Sequence, residues 1–310
     1  MNHTLFNLAL GLASILAFAS ITGKLLALSY GSANPTIFNL NQRVNAWWGM
    51  AAGIMASIAM GPIASIIIFS IASYLTLREF ITLTPTKASD HTAVFFSFFV
   101  AIPVQYILLS MHWYGLFSVF IPVFVFFLLA VASALSQDTE DFLARNAKIQ
   151  WAVSVCVYGL SHAPALLLLE IPGYEGKNAL LLFYFLFIVQ ISDVLQYVCG
   201  KLFGKNKIAP KLSPSKTVEG LVGGGILASL LGGLLHSITP FTFWQSVGLS
   251  GVIVFAGFFG GLVLSAVKRS LGAKDWSQMV AGHGGVLDRL DSVCFAAPLF
   301  FHLTRYWFTP

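Results

Sequence analysis

Charge is scarce in this chain. Asp, Glu, Lys and Arg together make up 9% of its 310 residues, against about 25% in ordinary soluble domains. With 57% hydrophobic residues and a mean hydropathy of +0.82, that shortfall excludes a soluble globular chain and leaves a polytopic membrane protein. Cysteine is scarce too. Cys156, Cys199 and Cys294 are far apart and each lies in or beside an apolar run, which excludes a disulfide framework and a cysteine metal site. The first residues, Met1-Asn2-His3-Thr4, contain no Lys or Arg. The basic start of a secretory signal peptide is therefore missing, and an uncleaved first membrane helix is expected despite the small, polar Gly31-Ser32-Ala33-Asn34. No Gly-x-Ser-x-Gly elbow precedes a helix, which excludes that hydrolase arrangement. His91, His112, His162, His236 and His302 show no i, i+4 pairing of the kind that builds a metal helix, and they read as interfacial. The formal charge of +5 is dispersed among loops without aromatic interleaving, which argues for anionic lipid and nucleotide phosphate as partners and against nucleic acid.

What the chain has in abundance is apolar runs of spanning length, at roughly 5–27, 50–76, 93–111, 113–135, 150–171, 178–199, 217–237, 243–266 and 291–308. The expected fold is all-α, a polytopic transmembrane helical bundle of about nine spans. The second run is interrupted at Gly61-Pro62 and reads either as one kinked span or as a span plus a flat interfacial piece. Basic residues fall on alternate loops. One set holds Arg78, Lys87, Arg145, Lys148, Lys201, Lys205, Lys207, Lys211, Lys216, Lys268, Arg269, Lys274 and Arg289; the other holds only Lys24, Arg43, Lys177 and Arg305. The positive-inside rule then places the loops after the sixth and eighth runs in the cytoplasm. Small residues at four-residue spacing, Gly220, Gly224, Ala228 and Gly232, then Gly257, Gly261 and Ser265, permit close helix approach. They serve internal packing or a homodimer seam.

The remaining charge is concentrated in two stretches. The first runs from Asp193, an acid inside an apolar helix and so a functional-site candidate, to Gly220. It carries Lys201, Lys205, Lys207, Lys211 and Lys216, the hydroxyls of Ser213 and Thr217, and a helix start at Thr217-Val-Glu219. Ser-Pro-x-Lys-Thr-x-Glu-Gly puts hydroxyl, ammonium and helix N–H groups within one turn, a composition suited to phosphate. Taken singly, the lysines are a positive-inside signal and Ser213-Pro214 is a turn. The second stretch, 265–291, holds Ser265, Lys268, Arg269, Lys274, Asp275, His283, Gly284, Gly285, Asp288, Arg289 and Asp291. Basic groups, acids and a Gly-Gly pair that lets backbone N–H groups approach an anion make this chemistry for polyphosphate and metal. His283 on its own reads as a turn histidine.

The 265–291 block resembles the characteristic sequence of CDP-diacylglycerol synthases, also called phosphatidate cytidylyltransferases, and 193–220 resembles the motif preceding it in that family. Arg78-Glu79-Phe80 is similar to a weaker family element. The resemblance covers about 190–300. It implies a membrane-embedded enzyme that transfers the cytidylyl group of CTP to phosphatidic acid, giving CDP-diacylglycerol and pyrophosphate. It further implies a C-terminal catalytic region over 176–310 behind N-terminal membrane helices over 1–175, in one integral unit of a bacterial inner membrane with the site facing the cytoplasm. The resemblance implies a catalytic set of Asp288, Lys268, Arg269 and Ser265. Substrate and nucleotide contacts fall to Ser213, Lys216, Thr217, Lys201, Lys205, His283, Gly284, Gly285 and Arg289. Mg²⁺ or another divalent cation is expected on Asp288, with Asp193 and Asp291 as further ligands or neighbours.

One departure stands out. Many bacterial members carry Gly-Asp-x-x-Glu-Ser ahead of Lys-Arg, where this chain has Gly260-Gly261-Leu-Val-Leu264-Ser265. The acid expected at 261 is absent, which either moves metal binding onto Asp193 or leaves the site impaired; eukaryotic-type members resemble this chain there. The alternatives are a CTP-dependent kinase or cytidylyltransferase for another lipid, a lipid-binding homologue without activity, and a transporter. A transporter would be built of repeated halves, and no repeat is visible.

Overall fold

The computed structural model describes residues 3–30, 34–279 and 284–310. Its helices are α1 (His3–Tyr30), α2 (Pro35–Met60) and α3 (Pro62–Leu83), then α4 (Ala88–Ser110), α5 (Tyr114–Ala134) and α6 (Phe142–Leu168). They continue with α7 (Asn178–Phe203), α8 (Val218–Leu234), α9 (Phe243–Ser270) and α10 (Leu287–Phe308). In lipid a backbone has to satisfy its own hydrogen bonds, so long apolar runs become helices. Seven helices among the described residues are long and apolar enough to cross a membrane, which makes this an integral membrane protein. The count differs from the nine expected for physical reasons. Gly61 adopts φ 98° and Pro62 opens the next helix, so the 50–76 run is cut in two between α2 and α3. α8 has only 17 residues, and α10 carries Asp288, Arg289 and Asp291 at its start.

The expected all-α bundle is what the described residues form, with one short two-stranded addition. Between α7 and α8 the chain forms an antiparallel hairpin, β1 (Lys207–Ala209) with β2 (Ser213–Thr217). Ser213-Pro214 therefore begins a strand rather than making a plain turn, and the strand delivers Lys216 and Thr217 to the end of the bundle. Thr217 caps α8, its side-chain oxygen accepting from the Gly220 N–H at 3.0 Å, as an N-cap threonine does.

The small-residue faces are consumed inside the chain. A Cβ on Gly224 would lie 2.4 Å from the backbone nitrogen of Gln196, and one on Gly220 2.7 Å from the Gln196 carbonyl oxygen, so α8 lies backbone to backbone on α7. Gly232 meets Ser250 of α9, while Gly257 and Gly260 of α9 meet Ser292 and Phe295 of α10. Such contacts replace hydrophobic driving force with close packing. His162 is a further correction. It is fully buried rather than interfacial, set among Phe117, Tyr158, Phe301 and His302, with Nδ1 donating to the Tyr158 carbonyl at 2.7 Å.

Gly224→Ala should force α7 and α8 apart and lower stability by about 1–3 kcal/mol. Gly53→Ala, where an added Cβ meets nothing within 4 Å, should not. Thermal unfolding in detergent separates the two, and equal midpoints for both variants would contradict the packing described.

Candidate active site

At the end of the bundle where α7 and α9 finish and α10 begins, a cleft of about 240 Å³ brings together Asp193, Lys216, Thr217, Ser265, Asp288, Arg289 and Asp291. These residues come from three separated parts of the chain. Asp193 is reached by α7, Lys216 and Thr217 by the hairpin, and the others by the block that includes the end of α9 and the start of α10. Asp193 and Asp291 share a neighbour: the Ser292 hydroxyl lies 3.0 Å from Asp193 Oδ2 and 3.4 Å from Asp291 Oδ1.

The cation facing these acids is Lys216. Its Nζ donates to the Phe258 carbonyl at 2.9 Å and lies over the Phe258 ring, 4.3 Å from the centroid. Burial pushes the ammonium below the usual lysine range, and the carboxylates of Asp193 and Asp291 pull it back up. Gly261 makes this position available. A Cβ at 261 would stand 3.1 Å from Lys216 Nζ and 3.4 Å from Asp291 Oδ2, tighter than ordinary packing to the ammonium.

Asp288 lies in the cleft wall but is heavily engaged. Oδ1 accepts from the Lys268 ammonium, while Oδ2 accepts the backbone N–H of Trp276 and of Gly285, each at 2.8 Å. The pair is buried, with Lys268 9% and Asp288 8% exposed. Here the carboxylate fastens the segment after α9 onto the first turn of α10. Gly284 and Gly285 serve the same fastening. A Cβ on Gly284 would lie 2.7 Å from Asp288 Oδ2, and one on Gly285 2.5 Å from Glu79 Oε2. The Gly-Gly pair does admit an anion, and that anion is the chain's own carboxylate.

Glu79 stands in the sequence only as part of Arg78-Glu79-Phe80, with no role assigned to it. It is 4% exposed, at the buried end of α3. Oε1 accepts from the Ser277 hydroxyl at 2.7 Å and the Val286 N–H at 2.9 Å, and Oε2 accepts from the Leu287 N–H at 2.8 Å. A carboxylate over free N–H groups at a helix start is favourable by hydrogen bonding and by the helix dipole. Next to it Phe80 stacks on Trp276, with ring centroids 4.8 Å apart. The signal was present in Arg78-Glu79-Phe80, but the partners lie some two hundred residues further along the chain.

Of the other expected site residues, Arg269, Ser213, Lys201 and Lys205 are not among those lining the cleft. Arg269 is exposed, its guanidinium donating to the carbonyls of Leu212 at 3.4 Å and Ala273 at 3.2 Å. Ser213 sits in β2 opposite Ala209. Lys201 and Lys205 are exposed, and the Lys205 backbone N–H is tied to Glu219 at 3.1 Å. Ser265 lines the cleft and donates to the Gly261 carbonyl at 2.7 Å. His283 lies outside the described residues.

Asp288→Ala strands a buried ammonium and two backbone donors, so a loss of about 3–5 kcal/mol is expected. Lys268→Met leaves the carboxylate two N–H partners and should cost less. Midpoints in detergent falling in the opposite order would refute this assignment of the pair.

The chain is similar to known proteins over most of its length. A family model described as the Cytidylyltransferase family matches residues 41–307. The uncharacterized protein YnbB of Escherichia coli (strain K12) is 38% identical over 268 residues, covering 85% of this chain and 87% of that protein. The phosphatidate cytidylyltransferase of Aquifex aeolicus (strain VF5) is 38% identical over 139 residues, covering 44% of this chain and 52% of that one. The phosphatidate cytidylyltransferase of Haemophilus influenzae is 40% identical over 126 residues, 39% of this chain and 44% of that one. The match therefore spans about half the length of these two enzymes.

Proposed function

Because this chain belongs to the cytidylyltransferase family, matched from residue 41 to residue 307, we propose that it transfers the cytidylyl group of CTP to phosphatidic acid, yielding CDP-diacylglycerol and pyrophosphate. The observation that carries this reading is the convergence of Asp193, Lys216, Arg289 and Asp291 in one cleft. The site is proposed to face the cytoplasm, where CTP is available, at the inner membrane of a bacterium.

In this reaction an oxygen of the lipid phosphate attacks the α-phosphorus of CTP. The new P–O bond forms as the bond from the α-phosphorus to the bridging oxygen breaks, and the electron pair leaves with pyrophosphate. The attacking group is already an anion, so no general base is required. The chain's task is to position two negatively charged reactants and to neutralise them. Lys216 and Arg289 are placed for that work. Lys216 is a partly desolvated point charge fixed by Phe258, and Arg289 offers a planar fork suited to phosphate. Asp288, Lys268 and Glu79 hold the segment that carries Arg289 and Asp291.

The donor set in the cleft fits a hard divalent cation such as Mg²⁺. Asp193 and Asp291 supply carboxylate oxygens that share the Ser292 hydroxyl, and Mg²⁺ commonly takes one or two carboxylates with substrate phosphates. No group of three or more His, Cys, Asp and Glu is gathered among the described residues, so substrate oxygens would complete the shell. Asp288, which already has three donors, is assigned to holding the segment, with Asp193 and Asp291 as the ligands. When bound, the cation neutralises charge on the phosphates and on the departing pyrophosphate.

The test is purified protein in detergent with Mg²⁺, CTP and phosphatidic acid, measuring CDP-lipid and pyrophosphate. Equal amounts of the two products are expected. Their absence where a known synthase turns over would sink the proposal, and product from a different lipid phosphate alone would change the acceptor. Asp193→Asn and Asp291→Asn should each lower turnover by about 10²-fold or more with unchanged thermal midpoints; full turnover in either would remove it from the site.

A further inference from the structure

Among the described residues, two buried donors belonging to cleft-lining side chains have no hydrogen-bond partner. Gln196 is 8% exposed and lines the cleft, yet its side-chain nitrogen has no hydrogen-bond partner among the described residues. The Nε of Arg289, in the same cleft, is likewise unpaired. Buried polar groups almost always find partners, and one that does not requires a physical reason. Backbone relaxation is not available to Gln196. Gly220 and Gly224 press α8 against its backbone nitrogen and carbonyl oxygen, within a Cβ's reach of both. The residue is thus held at the crossing of α7 and α8. A side chain needed only for packing there would do better as leucine, which buries similar volume and leaves no donor stranded.

The surroundings indicate what the amide meets. Asp193 lies one turn earlier on α7, on the same helix face, and Lys216 and Arg289 line the same cleft. These are the groups assigned to phosphate and its counter-ion. We infer that Gln196 is a substrate-binding residue whose side-chain amide donates to a phosphoryl oxygen, either of the nucleotide or of the lipid phosphate. The inference rests on reading the cleft as the cytidylyl-transfer site. Its logic is that of an unsatisfied donor: the free protein carries an unpaired amide at the cleft wall, and turning it toward a bound phosphate satisfies it.

The experiment uses the full chain in detergent and two variants, Gln196→Leu and Gln196→Glu. Thermal stabilisation is titrated with CTP and Mg²⁺ alone, then with phosphatidic acid in mixed micelles alone. For Gln196→Leu the ligand-free midpoint should equal or exceed that of the unaltered protein. Its affinity for one of the two ligands should fall about tenfold or more, as loss of a hydrogen bond to a charged oxygen does. The ligand that weakens identifies the source of the phosphate; weakening of both places the amide between them. Gln196→Glu keeps the shape but turns the donor into an anion, so it should weaken the same ligand further. Unchanged affinities in both variants would overturn the inference while leaving the proposed reaction standing. A lowered ligand-free midpoint with unchanged affinities would overturn it in favour of a purely structural role. Failure of the unaltered protein to bind either ligand would remove the proposed reaction and the inference together.

Discussion

The site depends on how the start of α10 is held. A helix that begins inside a protein leaves N–H groups without carbonyl partners, and here two buried carboxylates take them up. Glu79 accepts from Val286 and Leu287, and Asp288 from Gly285 and Trp276. One acid comes from α3 and the other from α10 itself, so the N-terminal membrane helices and the charged block are joined at this point. Lys268 balances Asp288 from the end of α9. With the first turn of α10 fixed, Arg289 and Asp291 are fixed with it, within one turn of the Asp288 carboxylate.

The opposite wall is set by close backbone packing. Glycines at 220 and 224 bring α8 onto α7 at Gln196, and the hairpin before α8 turns Lys216 inward toward Phe258 and Gly261. With no side chain at 261, Lys216 Nζ and Asp291 Oδ2 both lie close to the α9 backbone. The two carboxylates that remain, Asp193 and Asp291, face that ammonium across Ser292. The cleft thus combines acids that suit a cation with bases that suit phosphate, in surroundings where burial strengthens both effects.

Much of this was legible in the sequence. Apolar runs gave the helices because a backbone in lipid has few alternatives, and Asp193 declared itself because an acid in such a run is costly. Lys216, Thr217, Arg289 and Asp291 were found by composition and spacing, and they do converge. Less visible was the division of labour among them. Asp288 and Gly284-Gly285 looked like ligand-facing groups, since a sequence records that an anion and a glycine are present but not which anion meets which N–H. Glu79 was hidden for a related reason: its partners are nearly two hundred residues and more away, and no local pattern encodes that distance. The interruption at Gly61-Pro62 was visible, but the hairpin at 207–217 turned on backbone conformations that an apolar window averages away. Gln196 carries no signal in a sequence at all, because being unpaired is a property of the folded surroundings.

The central claim is that Glu79 and Asp288 together clamp the first turn of α10, and through it the cleft. Hydrogen–deuterium exchange at the amides of Gly285, Val286 and Leu287 tests it most directly, comparing the unaltered protein with Glu79→Gln. The account predicts slow exchange at all three in the unaltered protein. In the variant it predicts exchange at least about tenfold faster at Val286 and Leu287, corresponding to about 1.4 kcal/mol of lost protection, with α5 unaffected. Equal protection of Val286 and Leu287 in both proteins would contradict it.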